Sequence, residues 1–370
     1  MCTAITLKTK DHYFGRNLDL ERSYGECVVI SPRNYPFSFR CGEIIHEHYA
    51  MIGMAAVREN FPLYFEATNE KGLSMAGLNF PGNAVYFQEK AGMYNLASFE
   101  LIPRLLCQFD SIASAMPYLK KLNLTDVPFS EELYPSPLHW LLADEKSCLT
   151  IEQTKNGLSL HENPVGVLTN NPPFDYHIQN LANYMNLTAE PATNRFCKGL
   201  DLKAYSLGMG AMGLPGDPSS PSRFIRAAFT KFNSVCGDSE AESISQFFHI
   251  LGSVAQQRGV TCLDKEVYEY TRYSSCCNTN KGIYYYTTYE NNQITAVDMH
   301  KADLSGTTPV LYPLIIKQQI RQGNLTPKGV IGRSNYILYL WGNFPFPLLD
   351  NKDIMSLSQK RSEQAWKKSK

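Results

Sequence analysis

The second residue of the chain is a cysteine, directly after Met1. Because a small residue at this position allows removal of the initiator methionine, we expect Cys2 to carry both a thiol and a free α-amine. An α-amine has a pKa of roughly 7.7–8.0 and a thiol one of about 8.5, so the two groups can exchange a proton near neutral pH. Cys2 would then be a nucleophile with its own general base, and no histidine is required.

Polar residues suited to support such a nucleophile recur in short motifs along the chain. The residues that stand out are Arg16, Asp19, Asn79, Asn170 and Arg223. Taken alone, each has an ordinary structural interpretation. Arg16 and Asp19 could form a turn ion pair, the Asn-Asn-Pro-Pro run from Asn170 is typical of a turn, and an arginine near a helix start is usually solvated.

Several motifs in this order resemble the choloylglycine hydrolase family of N-terminal-nucleophile hydrolases, over residues 1 to about 320. The motifs are Met1-Cys2-Thr3, Phe14-Gly15-Arg16-Asn17-Leu18-Asp19, Asn69-Glu70-Lys71-Gly72-Leu73, Ala76-Gly77-Leu78-Asn79-Phe80-Pro81, Val167-Leu168-Thr169-Asn170-Asn171-Pro172, Leu214-Pro215-Gly216-Asp217, Pro221-Ser222-Arg223-Phe224-Ile225-Arg226 and Gly282-Ile283-Tyr284-Tyr285-Tyr286.

The resemblance implies a catalytic role for Cys2 and for each of the five polar candidates. Cys2 would supply the attacking sulfur and, through its amine, the proton for the leaving nitrogen. Asp19 would accept a hydrogen bond from that amine, and Arg16 would stabilise the thiolate. Asn79 and Asn170 would hold the developing oxyanion with neutral amide donors. Arg223 would belong to the active-site network near the nucleophile.

The resemblance also indicates a substrate, a conjugated bile acid cleaved at its glycine or taurine amide. Penicillin-type members often carry tyrosine where this chain has Asn79, which favours the bile salt reaction. The alternatives are a penicillin V acylase, an N-acyl-homoserine-lactone acylase, or a binding protein without turnover. A steroid needs an apolar cleft, for which we expect Leu18, Phe61, Phe129 and Leu133 as wall residues.

Composition limits the possible partners. The 370 residues contain 35 basic and 35 acidic side chains, so no overall charge recruits nucleic acid or an anionic membrane. No apolar run reaches the ~18 residues needed to span a bilayer. The start of the chain shows no secretory signal, so we expect a cytoplasmic protein whose ten cysteines are reduced. The family resemblance implies a homo-oligomer, a tetramer.

The elements that must position these residues alternate between blocks of short strands and blocks of helices. Strands are predicted over residues 4–7, 27–30, 49–57, 73–78, 138–143, 148–154, 158–161, 282–289 and 294–299, with an Asn156-Gly157 hairpin signal. Helices are predicted over residues 96–109, kinked or interrupted at Pro103, over 112–122 with a cap at Asp110-Ser111, and over 174–185, 222–232 and 240–254. This order predicts an α+β fold, a four-layer αββα sandwich with two stacked, mostly antiparallel sheets. We expect a hydrolase domain over residues 1–325 and a C-terminal extension of unknown role over 326–370. We predict no cofactor and no metal. His46-Glu47-His48 lacks further ligands nearby in sequence, and the glycine-rich run from Gly208 is broken by Pro215.

Overall fold

Strands account for most of the regular structure in the computed structural model, which describes residues 1–322. The strands are β1 Cys2–Lys8, β2 His12–Leu20, β3 Cys27–Ser31, β4 Phe37–Ser38, β5 Ile44–Ile45, β6 Met51–Arg58, β7 Phe61–Asn69, β8 Ser74–Asn79, β9 Tyr94–Ala97, β10 Leu122–Thr125, β11 Leu138–Ala143, β12 Cys148–Thr154, β13 Gly157–Glu162, β14 Val167–Leu168, β15 Thr261–Asp264, β16 Val267–Asn278, β17 Ile283–Thr288, β18 Thr295–Asp298 and β19 Val310–Pro313. The α-helices are α1 Leu101–Gln108, α2 Ile112–Leu119, α3 Phe174–Asn180, α4 Ser220–Phe232 and α5 Glu240–Gly252.

Two large sheets organise the fold, and every strand pair within them is antiparallel. The first sheet has the order β14-β1-β2-β16-β17-β18, with β15 beside β16. The second has the order β13-β12-β11-β8-β7-β6-β3-β19. The predicted pair of antiparallel sheets is therefore confirmed. A parallel pairing, β9 with β10, lies outside both.

The second sheet is buried on both faces, and its alternating side chains show this directly. Ile52 and Met54 of β6 belong to one core, which also takes residues from the first sheet and from α4 and α5. Met51 and Ala55 of the same strand belong to a second core, shared with α1 and α2. Because strand side chains alternate between faces, these two cores place helices outside each sheet. The predicted αββα layering is confirmed.

The predicted helices exist, with boundaries that packing has moved. The helix expected around residues 96–109 is split, because Tyr94–Ala97 pairs with β10 as a strand and α1 begins only at Leu101. Pro103 does not interrupt α1, which runs from Leu101 to Gln108. It lies in the first turn, where backbone N–H groups have no intrahelical partner. Ser111 caps α2 as predicted and accepts a hydrogen bond from the Ser114 amide at 3.3 Å.

Sequence patterns did not reveal three of the strands nearest the centre of the molecule, namely β2, β7 and β16. Strand β2 contains buried Arg16, Asn17 and Asp19, so its pattern lacks the apolar alternation that indicates a strand. These three polar residues are buried because the candidate site lies where β1 begins and β2 ends. The chemistry of that site, rather than an apolar core, determines which residues are buried there.

The described chain forms one compact unit over Met1–Gln319. The predicted extension over residues 326–370 lies outside the described residues, and the domain boundary near residue 325 stays a prediction. Within residues 1–322, no helix combines the length and apolar character needed to cross a bilayer.

Candidate active site

Cys2 opens β1, directly opposite Leu18 of β2. Its side chain is buried and lines a cavity of about 280 Å³ between the two sheets. Met1 is present, so the Cys2 nitrogen is an amide N–H at the place the α-amine takes after Met1 is removed. This nitrogen donates to Asn170 Oδ1 at 2.8 Å. Cys2 thus has its thiol in a cavity and its nitrogen on a polar partner.

Asn170 is the centre of the hydrogen bonds around the nucleophile. Its Oδ1 accepts from the Cys2 nitrogen and from Arg223 Nη2, the latter at 2.7 Å. Its Nδ2 donates to the Asn79 backbone oxygen, also at 2.7 Å. Because Oδ1 faces two N–H donors, the carboxamide can take only this orientation. One Nδ2 hydrogen remains to donate to an oxyanion.

Arg223 is fully buried near the start of α4 and does not line the cavity. Its guanidinium donates to the Cys2 carbonyl oxygen, to Thr3 Oγ1 at 2.7 Å and to Asn170 Oδ1. Its Nε donates to the Pro218 carbonyl at 2.9 Å. Arg223 can therefore orient the nucleophile and Asn170, rather than touch the substrate.

Asp19 is buried beside the N-terminus with one carboxylate oxygen in use. Oδ1 accepts from Thr271 Oγ1 at 2.6 Å, and the Met1 amine donates to the Asp19 backbone oxygen at 3.1 Å. Burial raises the pKa of Asp19, against the opposing effects of Arg223 and the N-terminal amine. Oδ2 is buried and has no hydrogen-bond partner within residues 1–322. This oxygen is available to accept from a freed α-amine.

Arg16 lies on the same face of β2 as Leu18 and lines the cavity with Cys2. Its Nη1 donates to the carbonyl oxygens of Phe65, at 3.1 Å, and Gly77. Its Nε is 3.9 Å from the Glu66 carboxylate, and Nη2 has no hydrogen-bond partner in the described chain. Burial by itself lowers the pKa of Arg16, but nearby Cys2, Tyr273, Glu66 and Asp19 raise it overall.

Arg16 and Asp19 are not an ion pair, because strand alternation directs them to opposite faces of β2. Arg16 lines the cavity, whereas the neighbouring Asn17 donates to the Leu251 carbonyl of α5 at 2.9 Å, on the helix side. The described ion pairs of Arg16 include Glu66 and not Asp19. Glu66 is therefore the carboxylate at ion-pair distance from Arg16 in the described residues, and the charge of Asp19 acts on Arg16 from farther away.

The rest of the cavity wall is mostly apolar, and Asn79 is one of its polar residues. Leu18, Phe129 and Leu133 line it as expected, together with Phe99 and Leu63. Asn79 closes β8 and lines the same cavity. Phe61 does not line the cavity. Its ring lies behind the wall, 5.9 Å from the Phe99 ring and 6.0 Å from the Phe129 ring.

Two residues near the site escaped the sequence analysis. Glu66 lies in a strand whose pattern was not recognised, and no motif marks it. His177 follows the Asn170 segment and donates from Nε2 to the Asn170 backbone oxygen at 2.9 Å. Burial lowers the pKa of His177 to about 4. For His177, the only signal in the sequence was a histidine seven residues after Asn170, where a turn was expected.

The paired histidines at 46 and 48 do not form a metal centre with each other in the described structure. Both ring nitrogens of His48 face backbone oxygens, those of Tyr49 at 2.7 Å and Tyr35 at 2.8 Å. Within residues 1–322, no group of three or more His, Cys, Asp or Glu side chains is placed to hold a metal ion.

A thiol on the first strand of an αββα sandwich, with its nitrogen held by an asparagine, defines an N-terminal-nucleophile hydrolase. The family described as linear amide C–N hydrolases, choloylglycine hydrolase family, matches residues 2–312. The chain belongs to this family.

Two relatives support the same assignment. The bile salt hydrolase/transferase of Lactiplantibacillus plantarum is 53% identical over 314 residues, covering 85% of this chain and 97% of the relative. The bile salt hydrolase/transferase of Clostridium perfringens is 39% identical, covering 84% and 96%.

Solved structures agree in fold. A mutant of the conjugated bile acid hydrolase from Clostridium perfringens superposes with a TM-score of 0.82 at 37% identity, covering 88% of this chain and 100% of that one. A penicillin V acylase from Agrobacterium tumefaciens has a TM-score of 0.67 at 19% identity, covering 86% and 94%. The second likeness concerns the fold alone.

Proposed function

We propose that this protein hydrolyses the amide bond of glycine- or taurine-conjugated bile acids with Cys2 as the nucleophile. The observation that carries the proposal is the cavity, where Cys2, Arg16 and Asn79 supply polar groups and most of the remaining wall is apolar. A steroid acid presents an apolar body and one amide, which matches this division. The relatives named for bile salt hydrolysis, at 53% and 39% identity, support the same substrate.

Cys2, Asn79 and Asn170 each contribute to a different part of the amide hydrolysis. The Cys2 sulfur adds to the scissile carbonyl, and its proton passes to the α-amine. Asn79 and the free Nδ2 hydrogen of Asn170 stabilise the oxyanion. The amine then protonates the departing nitrogen, which leaves as glycine or taurine, and the acyl group remains as a thioester. A water molecule hydrolyses this thioester, releasing the bile acid and restoring the thiol.

The test compares substrates on the purified protein. We expect release of free cholate from glycocholate and taurocholate, with penicillin V and an N-acyl-homoserine lactone cleaved more slowly. The matched control is Cys2→Ser, which keeps the shape of the site. Cleavage of penicillin V alone would contradict the substrate assignment.

Processing of the N-terminus separates an enzyme from a binding protein. We expect the intact mass to lack Met1, because a retained Met1 blocks the amine. Bound bile acid together with retained Met1 and no turnover would favour the binding protein. Location in the cytoplasm stays a prediction, and the partition of activity between cell lysate and culture medium tests it.

We also propose that the protein is a homo-oligomer, a tetramer. The support is a set of large apolar side chains that are exposed between residues 185 and 212: Met185, Phe196, Leu200, Leu202, Tyr205, Leu207 and Met212. Exposed apolar surface on this scale is typical of an interaction site. Light scattering after gel filtration should show a tetramer that Phe196→Ser with Leu207→Ser dissociates. Val235→Ser, at a similarly exposed position, is the matched control.

A further inference from the structure

Glu66 is a carboxylate buried between the two large sheets. It belongs to β7 of the second sheet, yet its hydrogen-bond donors come from the first. Tyr273 Oη donates at 2.7 Å and Ser275 Oγ at 3.0 Å, and the Tyr284 hydroxyl donates as well. Its side chain is 1% exposed. Three hydroxyl groups thus hold one buried carboxylate in place, and this carboxylate has no part in the catalytic steps proposed above.

The need for a counter-charge beside Arg16 explains why the Glu66 carboxylate is buried here. A buried guanidinium without a counter-ion strongly destabilises the folded protein. Within residues 1–322, Glu66 is the carboxylate within 4.0 Å of the Arg16 guanidinium. Asp19 lies on the other face of β2 and forms no ion pair with Arg16 within residues 1–322, so its charge acts on Arg16 only from farther away. Glu66 therefore meets a requirement that burial of Arg16 imposes.

The contacts of Arg16 also fix its direction. Two backbone carbonyls hold Nη1, and Nε faces Glu66 and the Asn17 carbonyl at 3.4 Å. The nitrogen left without a partner in the described chain is Nη2. Because Arg16 and Cys2 line one cavity, Nη2 is the donor that remains for a thiolate or for the reacting carbonyl.

We propose that Glu66 is a positioning residue, which supplies the counter-charge of Arg16 and holds its guanidinium beside Cys2. The hydroxyls of Tyr273, Tyr284 and Ser275 fix the carboxylate in turn. The proposal deepens the proposed function, since it requires Cys2 to be the nucleophile. It does not depend on which acyl group the enzyme accepts.

The test measures Cys2 alkylation by iodoacetamide against pH, with Cys2 quantified by peptide mass spectrometry. For Glu66→Gln we expect the pH midpoint of alkylation to rise by about one unit or more, because Arg16 no longer faces the thiolate. With glycocholate as substrate, kcat should fall by about tenfold or more while KM changes little.

The direction in which the pH midpoint of Cys2 alkylation shifts tests the proposal. If Glu66 acted only through its negative charge, its removal would favour the thiolate and lower the midpoint. If Glu66 were only structural, the midpoint would stay constant while the thermal unfolding temperature fell. Either result would overturn the proposal.

Two further variants keep the experiment informative if Glu66→Gln does not fold. Tyr284→Phe removes a single donor and should shift the midpoint in the same direction by a smaller amount. Tyr13→Phe is the matched control, a buried tyrosine of β2 whose hydroxyl lies 3.5 Å from Asn278 Nδ2, and it should leave the midpoint unchanged. Equal shifts in the two tyrosine variants would contradict the proposal.

A combination with Arg16→Met shows whether Glu66 acts through the arginine. In that background, Glu66→Gln should cause no further shift of the alkylation midpoint, and it should raise the unfolding temperature by removing an unpaired buried charge. Alkylation requires no bile acid, so this result stands even if the substrate assignment fails. An additional shift of full size would overturn the proposal.

Discussion

The polar end of the cavity and its apolar wall are built in different ways. At the polar end, Cys2, Arg16 and Asn79 belong to paired strands, and Asn170 is held by hydrogen bonds on every side. The wall residues Phe129 and Leu133 belong to the connection between β10 and β11, which is held by two backbone hydrogen bonds near its tip, by hydrogen bonds from Arg40 to the Phe129 carbonyl and from the Leu133 amide to Ser130 Oγ, and by ring contacts.

This difference separates two tasks. Hydrogen bonds between buried polar groups are directional, so a small displacement at the polar end disturbs the chemistry. Apolar contacts have no preferred direction, so the wall can change its shape while still excluding water. We therefore expect substitutions at the polar end to change kcat, and substitutions in the wall to change KM.

The largest effect should come from Cys2→Ala. Without the sulfur no thioester forms, and we expect kcat to fall by on the order of 10⁴-fold or more. Because the wall is intact, glycocholate should still bind with a similar Kd in isothermal titration calorimetry. Cys41→Ala, at an exposed cysteine, is the control and should remain active. Undiminished turnover by Cys2→Ala would refute the mechanism.

An intermediate effect should come from acid. Burial lowers the pKa of His177 and of His12 to about 4, from an ordinary value of 6.5. Between pH 6.5 and pH 4 the folded state therefore binds fewer protons than the unfolded state. The stability that these two histidines contribute is fully present above pH 6.5 and is lost as the pH falls toward 4. Each histidine should account for on the order of 3 kcal/mol of unfolding free energy.

Glutamine replacements at these two positions sharpen the comparison. Urea unfolding between pH 7 and pH 4 should show a smaller loss of stability for His177→Gln and for His12→Gln. Only His177 donates to Asn170, whereas His12 is bonded to Thr279 at the opposite end of the β1–β2 hairpin, at 2.9 Å. We expect a lower kcat at pH 7 for the His177 variant alone. Equal losses of kcat would show that His177 has no special connection to the site.

The smallest effect should come from the wall. Leu133→Ala removes apolar contact worth roughly 1–2 kcal/mol, so we expect KM for glycocholate to rise about tenfold with kcat nearly constant. Leu158→Ala is the control, a partly buried leucine that packs on the same core but does not line this cavity. A fall in kcat without a change in KM for Leu133→Ala would contradict the division of tasks.

The sequence allowed a good prediction of elements whose core faces are apolar. Strand β12 and the hairpin turn after it are confirmed, with Lys155 and Asn156 in the turn and Gly157 opening β13, and α4 and α5 begin and end within two residues of expectation. Prediction failed for β2 and β16, where polar residues are buried because they serve the site. Periodicity cannot distinguish a buried arginine from a solvated one, since both are read as polar.

The sequence by itself determined which groups are present for chemistry: a thiol and an α-amine on Cys2, amides at Asn79 and Asn170, and guanidiniums at Arg16 and Arg223. Only the tertiary structure decided how these groups are paired. The counter-ion of Arg16 is Glu66, 50 residues away on the other sheet, and not Asp19, three residues away. The physical reason is that strand alternation separates the near neighbours, while the low dielectric between two packed sheets requires a buried charge to have a partner across them.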